Sequence, residues 1–548
     1  MTEDTPFQQE YTDHLRHEVL NGHMTRRQLL VRASVIGLST TAVARLLAAC
    51  GSKSAGTTAP GTTQPKMGGT LRATMVSPTV AIEPTTMYDT GSIAIAQQVA
   101  EYLAWVNNDL TLRPVLAEKW SPDAAAQVWT FNLRKGVAFQ DGKPFGADDV
   151  VATMNILLDP KTVSAAIASF QGILSPGGVV KVDDATVAFH LDQPNADFPY
   201  LVASTNYDCL ILPSTYKLGT WQKNPVGTGP FMMTAYTPKQ SATFKKNPKY
   251  WQSGMPYLDG VQVTFNEQTQ AQGLALQAGS VDMMLYTPVQ GSQALFTDPN
   301  VKVMTAPSTM HRELHMRVDT APFTDKRVRQ ALAYSIDRPA LIQALFNGKA
   351  ELADDNVFFK QYPLSPQDLP QRAQDITQAK QLLTAAGMPN GVNATLFVEE
   401  YEEIAQYATL LQAMAKQAGI NLKLNQVTLT YWYGSGKNQP WLQAPMGITD
   451  WTFRGVPDQY FAAFVTNGIW NSSKFSDPAF DAAVKGYLTT VDETKRREYA
   501  KTGATILMDA TPAIIPYTIS VNRAMRQNVQ GVTSDPAEFL DLTTAYLA

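Results

Sequence analysis

Twice in succession the chain runs helix, glycine, strand. Residues 375–398, DITQAKQLLTAAGMPNGVNATLFV, carry apolar side chains at helical spacing, stop at Gly387 and resume as an alternating strand. Residues 402–429, EEIAQYATLLQAMAKQAGINLKLNQVTL, repeat the pattern around Gly419. Both glycines sit where a helix ends in a left-handed residue. A helix alternating with a strand predicts an α/β layer in which helices cover a sheet.

At 548 residues the chain is too long for a single core, and two or three domains are expected. The net charge of −4 gives no basic face for a nucleic acid, so no nucleic-acid partner is expected. The only cysteines are Cys50 and Cys209; if processing consumes one, no disulfide remains.

The first fifty residues read as an address. Arg26 and Arg27 precede a mildly apolar run, 31–49, that is too interrupted by Arg32, Arg45 and small polar residues to span a membrane. The pair resembles a twin-arginine export signal, with Leu29 where Phe is common and no following Lys. Leu47-Ala48-Ala49-Cys50-Gly51 resembles a lipobox, which implies that Cys50 is lipidated and becomes the mature N-terminus. Residues 52–66, SKSAGTTAPGTTQPK, have no apolar face and predict a flexible tether. The expected product is exported and lipid-anchored to the outer face of the cytoplasmic membrane.

Residues 129–150, WTFNLRKGVAFQDGKPFGADDV, give a half-buried strand, a second short strand to Phe139, a tight Asp141-Gly142 turn and a helix opened by Asp148 and Asp149. Further blocks follow in order: NPVGTGPF at 224–231, NPKYW at 247–251, LQAGSVDMM at 276–284 and PFTDKRVRQALAYSIDR at 322–338. Locally, Gly227 and Gly229 predict a turn that uses positive φ. Helical spacing in the last block puts Val328, Ala331 and Leu332 inside, with Lys326, Arg327 and Arg329 on a solvated face. Together the blocks resemble the family 5 extracellular solute-binding proteins, the dipeptide- and oligopeptide-binding class of ABC importers, over essentially all of 68–548.

That resemblance implies a type II periplasmic-binding-protein fold of cluster C: two lobes with a cleft between them and an extra inserted domain. It divides the chain into a signal peptide (1–49), a lipid-anchored linker (50–66), domain I (67–104, 225–313 and 508–548), domain II (105–224) and domain III (314–507). The ligand is expected between domains I and III, which close on strands near His311–Val318 and Thr511–Tyr517. The implied partners are a peptide or other small solute and ABC permease subunits. A monomer without a cofactor is expected.

The stretch ITDWTFRGVPDQYF, 448–461, gathers aromatics around Arg454. Peptide-binding members place an aspartate three residues after the tryptophan that matches Trp451, where it pairs with the ligand amine; here that position is Arg454. A guanidinium offers a bidentate fork to a carboxylate. The residues leave two readings open: Arg454 binds an anionic group of the ligand beside Trp451, or it pairs internally with Asp450 or Asp458. Position in the family's order adds Tyr88, Asp89, Trp432, Tyr433 and Asn471 as candidate ligand contacts.

Catalytic signatures are missing: there is no HExxH, GxSxG, P-loop or CxxC. His311 and His315 would share a helix face, but MHRELHMRV alternates as a buried or hinge strand does, so no metal site is expected. Cys209 reads as a buried thiol. The alternatives to a transport receptor are an exported, tethered hydrolase and a surface solute sensor on the same fold.

Overall fold

The computed structural model describes residues 65–434 and 439–548. Arg26, Arg27, Cys50, the signal and nearly all of the tether lie outside the described residues.

One mixed sheet organises the described chain. Its strands run in the order 420–427, 392–399, 446–451, 301–316, 517–526, 283–284, 70–75, 260–265, 241–246 and 231–237. The helix–glycine–strand repeats form neighbouring units of it. Helices Ile376–Ala385 and Ile404–Gln417 each end before a left-handed glycine, Gly387 at φ 79° and Gly419 at φ 90°. Their strands, Val392–Glu399 and Ile420–Val427, then pair in parallel.

The strand Val301–Met316 is the spine. Its first part pairs with Tyr517–Arg526, the register shifts between Pro307 and His311, and its last part pairs with Met446–Trp451. The irregularity thus falls just before the 311–318 stretch that the resemblance marks as a hinge. His311 and His315 lie fully buried on this strand, and burial lowers their pKa to about 3 and about 4, so both imidazoles are neutral at pH 7.

A separate antiparallel sheet, in the order 117–122, 128–133, 186–190 and 179–183, carries the diagnostic block. Val128–Leu133 alternates half-buried and buried residues. The acids that follow build helix Ala147–Leu158: Asp149 accepts from the Gly146 and Ser214 amides at 2.9 and 2.7 Å, and Asp148 pairs with Lys181 at 2.8 Å.

Two local expectations are corrected. Gly227 and Gly229 do not have positive φ; they are required because their turn lies against the Val99 backbone, where a Cβ on Gly229 would sit 2.7 Å from the Val99 carbonyl carbon. Arg329 is not solvated. It is buried, and its guanidinium donates to the carbonyls of Phe323, Ala510 and Thr511.

Apolar packing divides into large clusters. One joins Leu71 and Val261 of the main sheet with Phe131 and Val187 of the smaller one. A second lies under the helix–strand repeats, from Leu314 to Ile519. A third packs Ala104, Leu110 and Ala203 against Trp451, Tyr460 and Phe461, and so stitches the first half of the chain to the second.

Candidate functional site

The stretch 448–461 starts as a strand and ends as a short helix. Met446–Trp451 is a nearly buried strand, and Asp458–Phe461 is one helical turn. The bend between them is pinned to the spine. The Arg454 amide accepts no freedom there: it donates to Thr309 Oγ1 at 3.0 Å, and the Arg454 carbonyl accepts from Thr309 Oγ1 at 2.8 Å and Tyr362 Oη at 2.9 Å. Gly455 has no Cβ because one would collide with the Thr205 side chain across the bend.

This pinning aims the Arg454 side chain at a chamber of about 500 Å³. Ser169, Ile173 and Tyr207 line it from the 105–224 stretch, and Asp458, Gln459 and Trp470 from the 314–507 stretch, so the chamber lies between the segments assigned to domains II and III and not between those of domains I and III, where the ligand is expected. Neither acid named in the sequence pairs with the guanidinium, which has no ion pair among the described residues. Its Nη1 donates weakly to the Phe453 carbonyl at 3.3 Å, and its Nε is buried without a partner. Asp450 instead accepts from the Tyr433 hydroxyl, and Asp458 from Asn195 Nδ2 at 3.3 Å. A half-buried guanidinium without a carboxylate, facing open space, has unused capacity for an anion.

The other expected contacts lie elsewhere. Trp451 is 7% exposed, edge-on to Tyr460 and Trp470 at 5.7 Å and parallel to His311 at 6.2 Å; its neighbour Trp470 is the one that reaches the chamber. Trp432 is completely buried, stacked on His315 and Phe397. Asp89 caps helix Thr90–Val99, accepting from the Ser92 amide and hydroxyl at 2.9 and 2.7 Å. Asn471 ties its own loop together, donating to the carbonyls of Phe475 at 2.7 Å and Val465 at 3.0 Å. Tyr88 is 62% exposed in the loop before helix Thr90–Val99. Of these seven residues only Arg454 lines the chamber. Tyr207, Gln459 and Trp470 line the chamber without standing out in the sequence, since 207 and 459 become neighbours only through the fold.

A second polar cluster sits at the ends of the parallel strands. Arg312 binds Glu402 at 2.6 Å and Glu403 at 2.9 Å and lies over the Tyr401 ring. Burial, and then the charge of Asp450, raise the Glu399 carboxyl. Burial, and then the charge of Glu402, push Glu538 up to about 7. Carboxyl groups thus crowd where 399–403 meets the C-terminal loop, whereas the chamber at Arg454 has a guanidinium without an ion pair among the described residues. His311, Glu313 and His315 share one face of the spine, yet among the described residues no group of three such side chains is placed to hold a metal.

The mixed sheet, its long shared strands and the smaller inserted sheet define a type II periplasmic-binding-protein fold. The structure of HbpA2 from Haemophilus parasuis superposes with a TM-score of 0.79 at 23% identity, covering 88% of this chain and 100% of that one. Residues 111–472 match the family described as bacterial extracellular solute-binding proteins, family 5. The chain belongs to that family and is a solute-binding protein, not an enzyme. It is similar to heme-binding protein A of Haemophilus influenzae, 28% identical over 502 residues (84% of this chain, 88% of that protein). It is also similar to the glutathione-binding protein GsiB of Escherichia coli K12, 26% identical over 471 residues (82% and 89%). Among the described residues no helix is long and apolar enough to cross a membrane.

Proposed function

We propose that this chain is the solute receptor of an ABC importer, held by a lipid on Cys50 at the outer face of the cytoplasmic membrane, and that its solute is a peptide or peptide-like molecule carrying an anionic group. The observation that carries the anion is Arg454: a guanidinium with no acidic partner, backbone-pinned, open to a chamber of about 500 Å³ between two parts of the chain. A carboxylate there takes two parallel N–H donors in a site that is already partly dry. Ser169, Tyr207 and Gln459 offer hydrogen bonds around it, and Trp470 offers a flat wall. Two similar proteins are named for heme and for glutathione, molecules that both carry carboxylates.

The receptor acts by affinity without chemistry. Solute enters while the two parts stand open, the parts close over it, and the closed form docks on a permease. Solute shifts the population only through its better contacts with the closed form. A thermal-shift screen of the purified, unlipidated protein against peptides, glutathione, opines, oligosaccharides and metal chelates tests this. An anionic solute is expected to raise the melting temperature of the wild type and to leave Arg454→Ala unmoved. Equal stabilisation of both proteins contradicts the role given to Arg454.

A further inference from the structure

Asp458, which lines the chamber, also takes part in a seam between residues 195–200 and the segments 458–460 and 487–496. Three polar contacts cross it. Arg496 Nη2 donates to Asp197 Oδ1 at 2.5 Å, Asn195 Nδ2 donates to Asp458 Oδ2 at 3.3 Å, and the Ala196 amide donates to the Leu488 carbonyl at 2.7 Å. Asn195 also accepts from the Asp197 amide at 2.7 Å, so one side chain holds both aspartates in place. Arg496 is thus the ion-pair partner of Asp197, while Asp458, reaching the seam from the opposite side, has only the weak Asn195 contact. The remaining oxygens, Asp197 Oδ2 and Asp458 Oδ1, are both buried without a partner.

Arg496 compensates the buried Asp197, but the half-buried Asp458 has no ion pair among the described residues and one buried oxygen without a partner; a proton on it removes that uncompensated charge. We propose that Asp197 and Asp458 form a proton site across this seam, which takes up one proton as the two sides meet and releases it as they part. The proposal rests on the reading of two parts that open and close around a solute.

Among the described residues no second cation makes an ion pair with either carboxylate. Helix Pro478–Thr489 contributes Tyr487, whose ring lies under Arg496 at 4.2 Å. Helix Glu493–Ala510 contributes Arg496 itself and, farther out, Glu493. Tyr200 and Tyr362 face the pair from their own segments, and burial raises both phenols, keeping them neutral. Arg454 opens on the same chamber as Asp458 but makes no ion pair with it. Burial, and then the Asp197 charge, push the Asp458 carboxyl up to about 8.

The sign follows from that direction. A carboxyl released to water titrates near 4. Between about pH 4 and pH 8 closure therefore binds a proton, and the closed seam weakens as pH rises, by up to tenfold per pH unit.

Hydrogen exchange at the Ala196 amide reads the seam directly and needs no solute. Its protection factor in the full chain, corrected for intrinsic exchange, is expected to fall severalfold to tenfold per unit between pH 5 and pH 8. In Asp458→Asn, which keeps the shape of the protonated acid, it is expected to be flat. A wild-type protection factor that does not change with pH overturns the proposal, as does an equal slope in the two proteins. If Asp458→Asn does not fold, Asp458→Ser serves the same comparison. A failed solute screen leaves this result untouched, so the two readings fail separately.

Discussion

Two arginine sites in the second half of the chain look alike in sequence and differ in structure. Arg338 is 1% exposed and its Nη2 reaches both oxygens of Asp355, at 2.8 and 2.9 Å; Arg372 meets the same carboxylate at 2.5 Å, and the Ile515 amide adds a third donor. Every charge there has an internal partner, so the cluster can only hold the fold. Arg454 has backbone partners on both of its peptide groups and no partner for its charge. The difference teaches what separates a structural arginine from a receptive one: both are fixed in place, but only the second has unfilled hydrogen-bonding capacity facing a chamber.

The largest expected effect breaks the satisfied site. Asp355→Asn keeps the side-chain shape and tolerates the left-handed backbone at φ 55°, but leaves two buried guanidinium groups without a counter-charge. A loss of about 3–5 kcal/mol in denaturant unfolding is expected. Gly447→Ala drives a methyl into the Trp432 ring, which is stacked on both faces' neighbours and cannot withdraw. About 1–3 kcal/mol is expected, from overpacking alone. Asp89→Ala removes a helix cap and should cost about 1 kcal/mol, with solute binding unaltered if its role is the cap. Arg454→Ala should change stability by no more than about 0.5 kcal/mol, because no internal partner is orphaned. Its effect belongs to binding, where a solute at a hundred times its Kd stabilises the wild type by about 2.7 kcal/mol. A large loss of stability in Arg454→Ala would move this arginine into the class of Arg338.

Local signals were legible in the sequence and distant partners were not. The paired helix–strand units, the alternating 128–133 strand and the 493–510 helix follow from periodicity and from where glycines and capping acids fall. Arg329 was misplaced because helical spacing sorts residues by face and cannot show that the 510–511 carbonyls come to meet a guanidinium. The turn glycines were assigned to the right positions for the wrong reason, since close approach to Val99 has no signature in φ preference. Arg454 stood out as a departure from an expected aspartate, and the fold gives it the chamber. The polar atoms of Asp89 and Asn471 are used within a few residues of themselves, which the family's order of blocks does not reveal. The seam could not be read at all: Asp197 and Arg496 are 299 residues apart.

The central claim is that Arg454 receives an anionic group of the solute. Isothermal titration of the wild type and of Arg454→Ala with the strongest anionic hit of the solute screen tests it most directly. Saturable 1:1 binding to the wild type is expected, weakened at least about tenfold in the variant, which corresponds to about 1.4 kcal/mol or more for a charge-assisted contact. Equal affinity in a variant that is folded to the same melting temperature would contradict it.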